Sequence, residues 1–211
     1  MKKLLLTALF AAFAASAAFA GAKCETHPKS EWIKQEDFKK QLEGQGYKID
    51  KFKVSGQCYE IYGKNKDDKK VEIYFDTKTG KPVKSPHRWA GYLAAALVLS
   101  RVLWGFVGSK HARFADFFPT PRRLRAHWQD MRQGRLDAHA GHNPLGALMM
   151  LWLMALVLGL GVTGYLLGTD AFWGDDRMQE LHEALANILI GSVGLHVLAA
   201  LVMSRLGGIN L

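Results

Sequence analysis

The stretch Leu181 to Met203 most constrains what this chain can fold into, because it is apolar through its middle yet carries His182 and His196 fourteen residues apart. At about 100° and about 1.5 Å per residue, that spacing falls ~40° short of four turns and covers ~21 Å along a helix axis. Both rings therefore leave one face. A run of about 20 apolar residues matches the ~30 Å hydrocarbon core of a bilayer, which sets one histidine near each side. A histidine in such a helix can instead bond a neighbouring helix or lie at the interface, so the partners of the two rings decide what they do.

Two further apolar spans run from His87 to Val107 and from Pro144 to Leu167. The fold class expected is a small α+β domain followed by an all-α transmembrane bundle of three spans. The formal net charge of +9 over 211 residues raises nucleic acid as a partner, but its distribution argues against that. From Ala22 to Lys84 every basic residue is lysine, and from Pro86 onward every one is arginine apart from Lys110, which marks two modules joined near Ser85. The connection from Gly108 to His142 carries Lys110, Arg113, Arg122, Arg123, Arg125, Arg132 and Arg135, whereas Gly168 to Glu180 is acidic on balance. Basic loops stay on the cytoplasmic side, so membrane topology accounts for the positive charge.

The first twenty residues have Lys2 and Lys3, an apolar run and Ala18-Phe19-Ala20, a secretory signal pattern with cleavage expected after Ala20. Residues 21–84 are then exported. In them Ser30 is expected to cap a helix carrying Trp32, Phe38 and Leu42, and alternation predicts strands over Tyr47 to Val54, Cys58 to Tyr62 and Val71 to Phe75. Cys24 and Cys58 are the only cysteines, and an even pair in a small exported domain most simply forms one disulfide. His27 is expected to be exposed. Trp32, Phe38, Gly46-Tyr47, Cys58-Tyr59-Glu60, Lys70 to Asp76 and Thr79-Gly80-Lys81 resemble a periplasmic PepSY domain, which implies binding or regulation rather than catalysis.

With this topology the spans beginning at His87 and Leu181 run in the same direction, so His87 and His182 share a level at the periplasmic end. Adjacent packing would bring their imidazoles to opposite faces of one porphyrin. No Cys-x-x-Cys-His motif is present, so the cofactor expected is haem b rather than c-type haem. Gly91, Ala186, Gly191 and Gly194 are small enough to admit a flat ring or, equally, to pack helices closely. Arg101 lies fourteen residues after His87 and would meet either a haem propionate or cytoplasmic headgroups.

His87 to Tyr92, Arg101 to Ser109, Gly141 to Gly146 and His182 through His196 resemble the bacterial cytochrome b561 family, including cytochrome subunits of hydrogenases. That resemblance implies four membrane helices, two bis-histidine haems and a quinone as redox partner. The chain departs from it where the signal and PepSY-like segments stand in place of the first membrane helix, which leaves His196 without its ligand partner. His142 is a candidate replacement, although Asn143 and Pro144 mark a helix start and place it at the surface. His111, His127 and His139 fall in the basic loop.

The reading is a multi-pass inner-membrane b-type cytochrome, with His87, His182, His196 and Arg101 as cofactor residues and the histidines as iron ligands. It passes electrons between a quinone and another redox partner, as an electron carrier rather than a stand-alone enzyme. One complete haem site is expected, with a second left half-built. Its partners are membrane lipid, haem, quinone and a redox protein, with oligomers allowed and nucleic acid excluded. The N-terminal domain lies in the periplasm and the C-terminus in the cytoplasm. The rival is a membrane-anchored PepSY binding or regulatory protein whose cytochrome part is a non-redox remnant. A transmembrane ferric reductase comes third, lacking a substrate site.

Overall fold

A computed structural model describes residues 22–133 and 143–206. The expected signal segment, His139 and His142 lie outside the described residues. The N-terminal module holds helix α1 (Gln35–Gly44) and strands β1 (Lys48–Ser55), β2 (Cys58–Lys64), β3 (Lys70–Asp76) and β4 (Pro82–Val83). The sheet is antiparallel with the strands in sequence order. Helix α1 lays Phe38 and Leu42 on one sheet face, against Tyr59, Ile61 and Phe75.

Ile49 and Phe52 both pack on this core although they are three residues apart, a spacing that breaks simple alternation. A shift of register between Ile49 and Lys51 absorbs the extra residue, as a bulge does. Opposite it stands Gly63, where a Cβ would come within 2.1 Å of the Lys48 carbonyl oxygen, so only glycine fits. The short β4 was not expected from the sequence. Its Pro82 is tolerated because the strand is at the edge.

The helix start expected at Ser30 is corrected. Ser30 lies in a 3-10 turn, Lys29–Glu31, and α1 begins only at Gln35 with no side-chain cap. The chain between is drawn out because the Ile33 N–H donates to the Thr77 carbonyl and the Trp32 indole N–H donates to the His27 carbonyl. Cys24 is bonded to Cys58, tying the segment before α1 to the start of β2. Closing a loop of this size restricts the unfolded chain by about 3 to 4 kcal/mol.

The second module contains α2 (His87–Val107), α3 (Phe114–Phe117), α4 (Pro121–Arg132), α5 (Pro144–Leu167) and α6 (Asp176–Leu206). Of these, α2, α5 and α6 are long and apolar enough to cross a membrane. Helix α5 starts as its sequence suggests, with the Asn143 side chain accepting the Gly146 N–H at 2.6 Å and proline in the first turn. Helix α6 starts five residues before Leu181, because the Asp175 carboxylate accepts the Met178 N–H at 2.8 Å. Helix α5 packs along both α2 and α6, whereas α2 and α6 pack far less on each other. At one α2–α5 contact a Cβ on Gly161 would sit 2.9 Å from the Ala95 Cβ.

Candidate functional site

His87 is the first residue of α2 and His182 sits in the second turn of α6, both at the bundle end nearest the sheet domain. Their ring centroids are 6.0 Å apart and their planes are perpendicular, at 89°. Two imidazoles bonded through nitrogen at about 2 Å to opposite sides of one metal have ring centres about 6 Å apart. Among the described residues no group of three or more His, Cys, Asp or Glu could hold a metal ion. A metal between His87 and His182 would therefore find no further His, Cys, Asp or Glu ligand grouped with them among the described residues.

A hydrogen-bond chain orients His182. The Thr163 hydroxyl of α5 is 2.7 Å from His182 Nδ1 and 2.9 Å from the Gly159 carbonyl oxygen one turn back. A hydroxyl has a single hydrogen. Donated to the carbonyl, it leaves Thr163 Oγ1 to accept from Nδ1–H, and His182 Nε2 then keeps its lone pair for a metal. Thr163 is buried, so this bond is shielded from water. Gly164 gives the imidazole its place, because a Cβ there would lie 3.3 Å from His182 Cε1. Neither Thr163 nor Gly164 was singled out in the sequence, where a threonine nineteen residues before a histidine carries no signal without the α5–α6 packing.

Gly91 lies one turn after His87, and an added Cβ there would meet nothing within 4 Å. The same holds for Gly191 and Gly194. These three glycines border space instead of close helix contacts, which separates them from Gly161 and Gly164. Gly91 is beside the His87–His182 pair, whereas Gly191 and Gly194 are nearer to His196.

His196 is exposed, and no hydrogen bond or ion pair to it is found among the described residues. The structure does not bring it to the other two histidines. Arg101 is half-buried, with its guanidinium 5.4 Å from the Phe114 ring centroid and 5.9 Å from that of Phe117. These aromatic partners in the following connection were not expected. Its Nη1 is enclosed without a hydrogen-bond partner among the described residues. His127 lies on α4. His27, expected to be exposed, has a side chain only 13% accessible and its Nε2 stands 3.2 Å from Asp76 Oδ2.

Comparisons with known proteins follow the two modules. Residues 64–208, more than half of the chain, match the family model for prokaryotic cytochrome b561. Residues 4–86 match the model for the peptidase propeptide and YPEB domain. A probable Ni/Fe-hydrogenase B-type cytochrome subunit of Azotobacter vinelandii is 31% identical over 109 residues, covering 47% of this chain and 45% of the relative. The corresponding subunit of Bradyrhizobium diazoefficiens is 29% identical over 96 residues, covering 42% of this chain and 39% of the relative. The chain thus spans less than half the length of the curated relatives it matches. No solved structure matches it.

Proposed function

The chain belongs to the prokaryotic cytochrome b561 family, and we propose that it carries electrons in the membrane through one haem b held between His87 and His182. The observation that carries this reading is the 6.0 Å separation of the two rings at the ends of spans that otherwise scarcely meet. His87 and His182 would hold a haem b there, and it would supply a one-electron couple suited to electron transfer rather than oxygen binding.

The protein's own residues prepare the site. Thr163 holds His182 in the tautomer that leaves Nε2 free, Gly164 lets that ring lie against α5, and Gly91 leaves room beside His87. The pair lies at one end of the bundle, where His182 is half-buried and His87 exposed. Arg101, at about 1.5 Å per residue, is ~21 Å along α2 from His87, so it would serve a group only at the His196 end. We assign no second haem, because no companion histidine stands beside His196 among the described residues, whereas His87 has His182.

Electrons would pass between a membrane quinone, which the family resemblance implies, and a second redox protein, in keeping with relatives described as hydrogenase B-type cytochrome subunits. We place the sheet domain on the periplasmic side and the basic connection containing α4 in the cytoplasm, following the charge asymmetry of the loops.

The test is the absorbance and haem-to-protein ratio of the purified full chain expressed with adequate haem. A low-spin spectrum and a ratio near one are expected. A ratio of zero refutes the reading, and a ratio near two gives His196 a ligand partner.

A further inference from the structure

The sheet has a second face, and it is occupied. Away from α1, its antiparallel register lines up two rungs, Lys51–Tyr62–Glu72 and Lys53–Glu60–Tyr74. Central strand β2 is buried on this side as well as on the core side, with Glu60 and Tyr62 only 1% and 8% exposed. The connection between α5 and α6 and the first turns of α6 meet this face. Lys51 Nζ donates to Asp176 Oδ2 at 2.6 Å and to the Gly174 carbonyl at 2.8 Å. Lys53 Nζ donates to Asp176 Oδ1 at 2.8 Å and to Gln179 Oε1 at 2.7 Å. Trp173 packs edge-on against Tyr62 with ring centroids 5.5 Å apart, and Lys70 pairs with Asp170.

Asp176 and Gln179 lie six and three residues before His182 on one uninterrupted helix. On the other side of the site only Lys84, Ser85 and Pro86 separate β4 from His87. The same small domain is therefore joined to one histidine by a three-residue tether and to the other by a two-lysine clamp. Between α2 and α6 themselves there is little packing to set their separation.

We propose that the sheet domain is a strut that sets the spacing of the two ligand-bearing helix ends, with Lys51 and Lys53 as positioning residues for His182. The idea rests on the haem reading of His87 and His182. Two ammonium groups share the Asp176 carboxylate, one of them also holds the turn before it and the other the side chain one turn after it. That geometry restrains the start of α6 in translation and in rotation. Releasing the clamp frees α6 to move relative to His87, and the ligand field of a metal held between them changes with it.

The test uses the full haem-loaded chain carrying K51E and K53E, compared with the unaltered chain and with the charge swap K51E/K53E/D176K. At a fixed ambient potential the double variant should change its ratio of oxidised to reduced haem at least threefold, and amides at residues 180–183 should exchange with solvent at least tenfold faster. The swap should restore both. The milder Lys53→Gln should shift both in the same direction by less. Normal haem uptake with an unchanged redox ratio overturns the proposal even if exchange accelerates, and so does a shift that the swap does not reverse. If the unaltered chain takes up no haem, the redox reading fails first and this proposal falls with it.

Discussion

Thr163 Oγ1 lies 2.7 Å from His182 Nδ1 and 2.9 Å from the Gly159 carbonyl oxygen, so a hydroxyl that donates to that carbonyl is left to accept from Nδ1–H. Replacing Thr163 by valine keeps the volume and removes the acceptor. Haem affinity should fall about 10- to 100-fold, the usual scale for losing such an outer partner of a metal-binding histidine. Thr163→Ser should retain most of it. Haem titration of the two purified variants distinguishes them, and equal affinity would remove Thr163 from the site.

His87 and His182 are close together while His196 is exposed and apart from them. His87→Ala and His182→Ala should each abolish the low-spin bis-histidine spectrum, and His196→Ala should leave it unchanged. Loss of half the haem in the His196 variant would show a second site and refute the one-haem reading.

The sequence carried most of the fold. The apolar runs place α2 and α5 at the residues observed, because a membrane span needs an uninterrupted length of chain and little else. The strands were readable from alternation, whereas the three-residue step from Ile49 to Phe52 needed the bulge to explain it. His87 and His182 could be paired because both begin spans that run in one direction. Thr163, Gly164 and the lysine clamp were not readable, since each depends on which helix or strand face meets which. The sheet's docking left only an indirect trace, a lysine-only domain preceding a connection rich in acids.

Glycines of this bundle do two different jobs, and substitution should separate them. At Gly161 an added Cβ meets Ala95 at 2.9 Å, so Gly161→Leu should overpack the α2–α5 contact and destabilise the bundle by about 1 to 3 kcal/mol. At Gly91 an added Cβ meets nothing within 4 Å, so Gly91→Leu should fold normally. It should nevertheless lower haem uptake, because Gly91 shares a face with His87 one turn away. Thermal unfolding and haem content, measured on both variants, check the contrast. Full haem uptake by the Gly91 variant would mean that the open space is lipid-facing only.

Asp76 gives the sheet domain an acid limit. Burial works to raise its pKa, but this is outweighed by the N–H and hydroxyl of Thr79, the N–H of Lys78 and the His27 ring, which together hold the carboxyl below the ordinary value of 3.8. A carboxyl depressed in the folded state stabilises it at every pH above the unfolded value and loses that contribution as pH falls through the folded one. At pH 7 Asp76→Asn should therefore cost about 1 to 3 kcal/mol, the scale for disturbing a buried hydrogen-bonded group. The difference between the parent chain and this variant should shrink only below about pH 4. Denaturant unfolding of both chains at pH 7 and at steps below pH 4 measures it. A difference that stayed constant down to full protonation would show that the turn from Asp76 to Gly80 is held by its backbone bonds and packing, with the carboxylate charge contributing nothing.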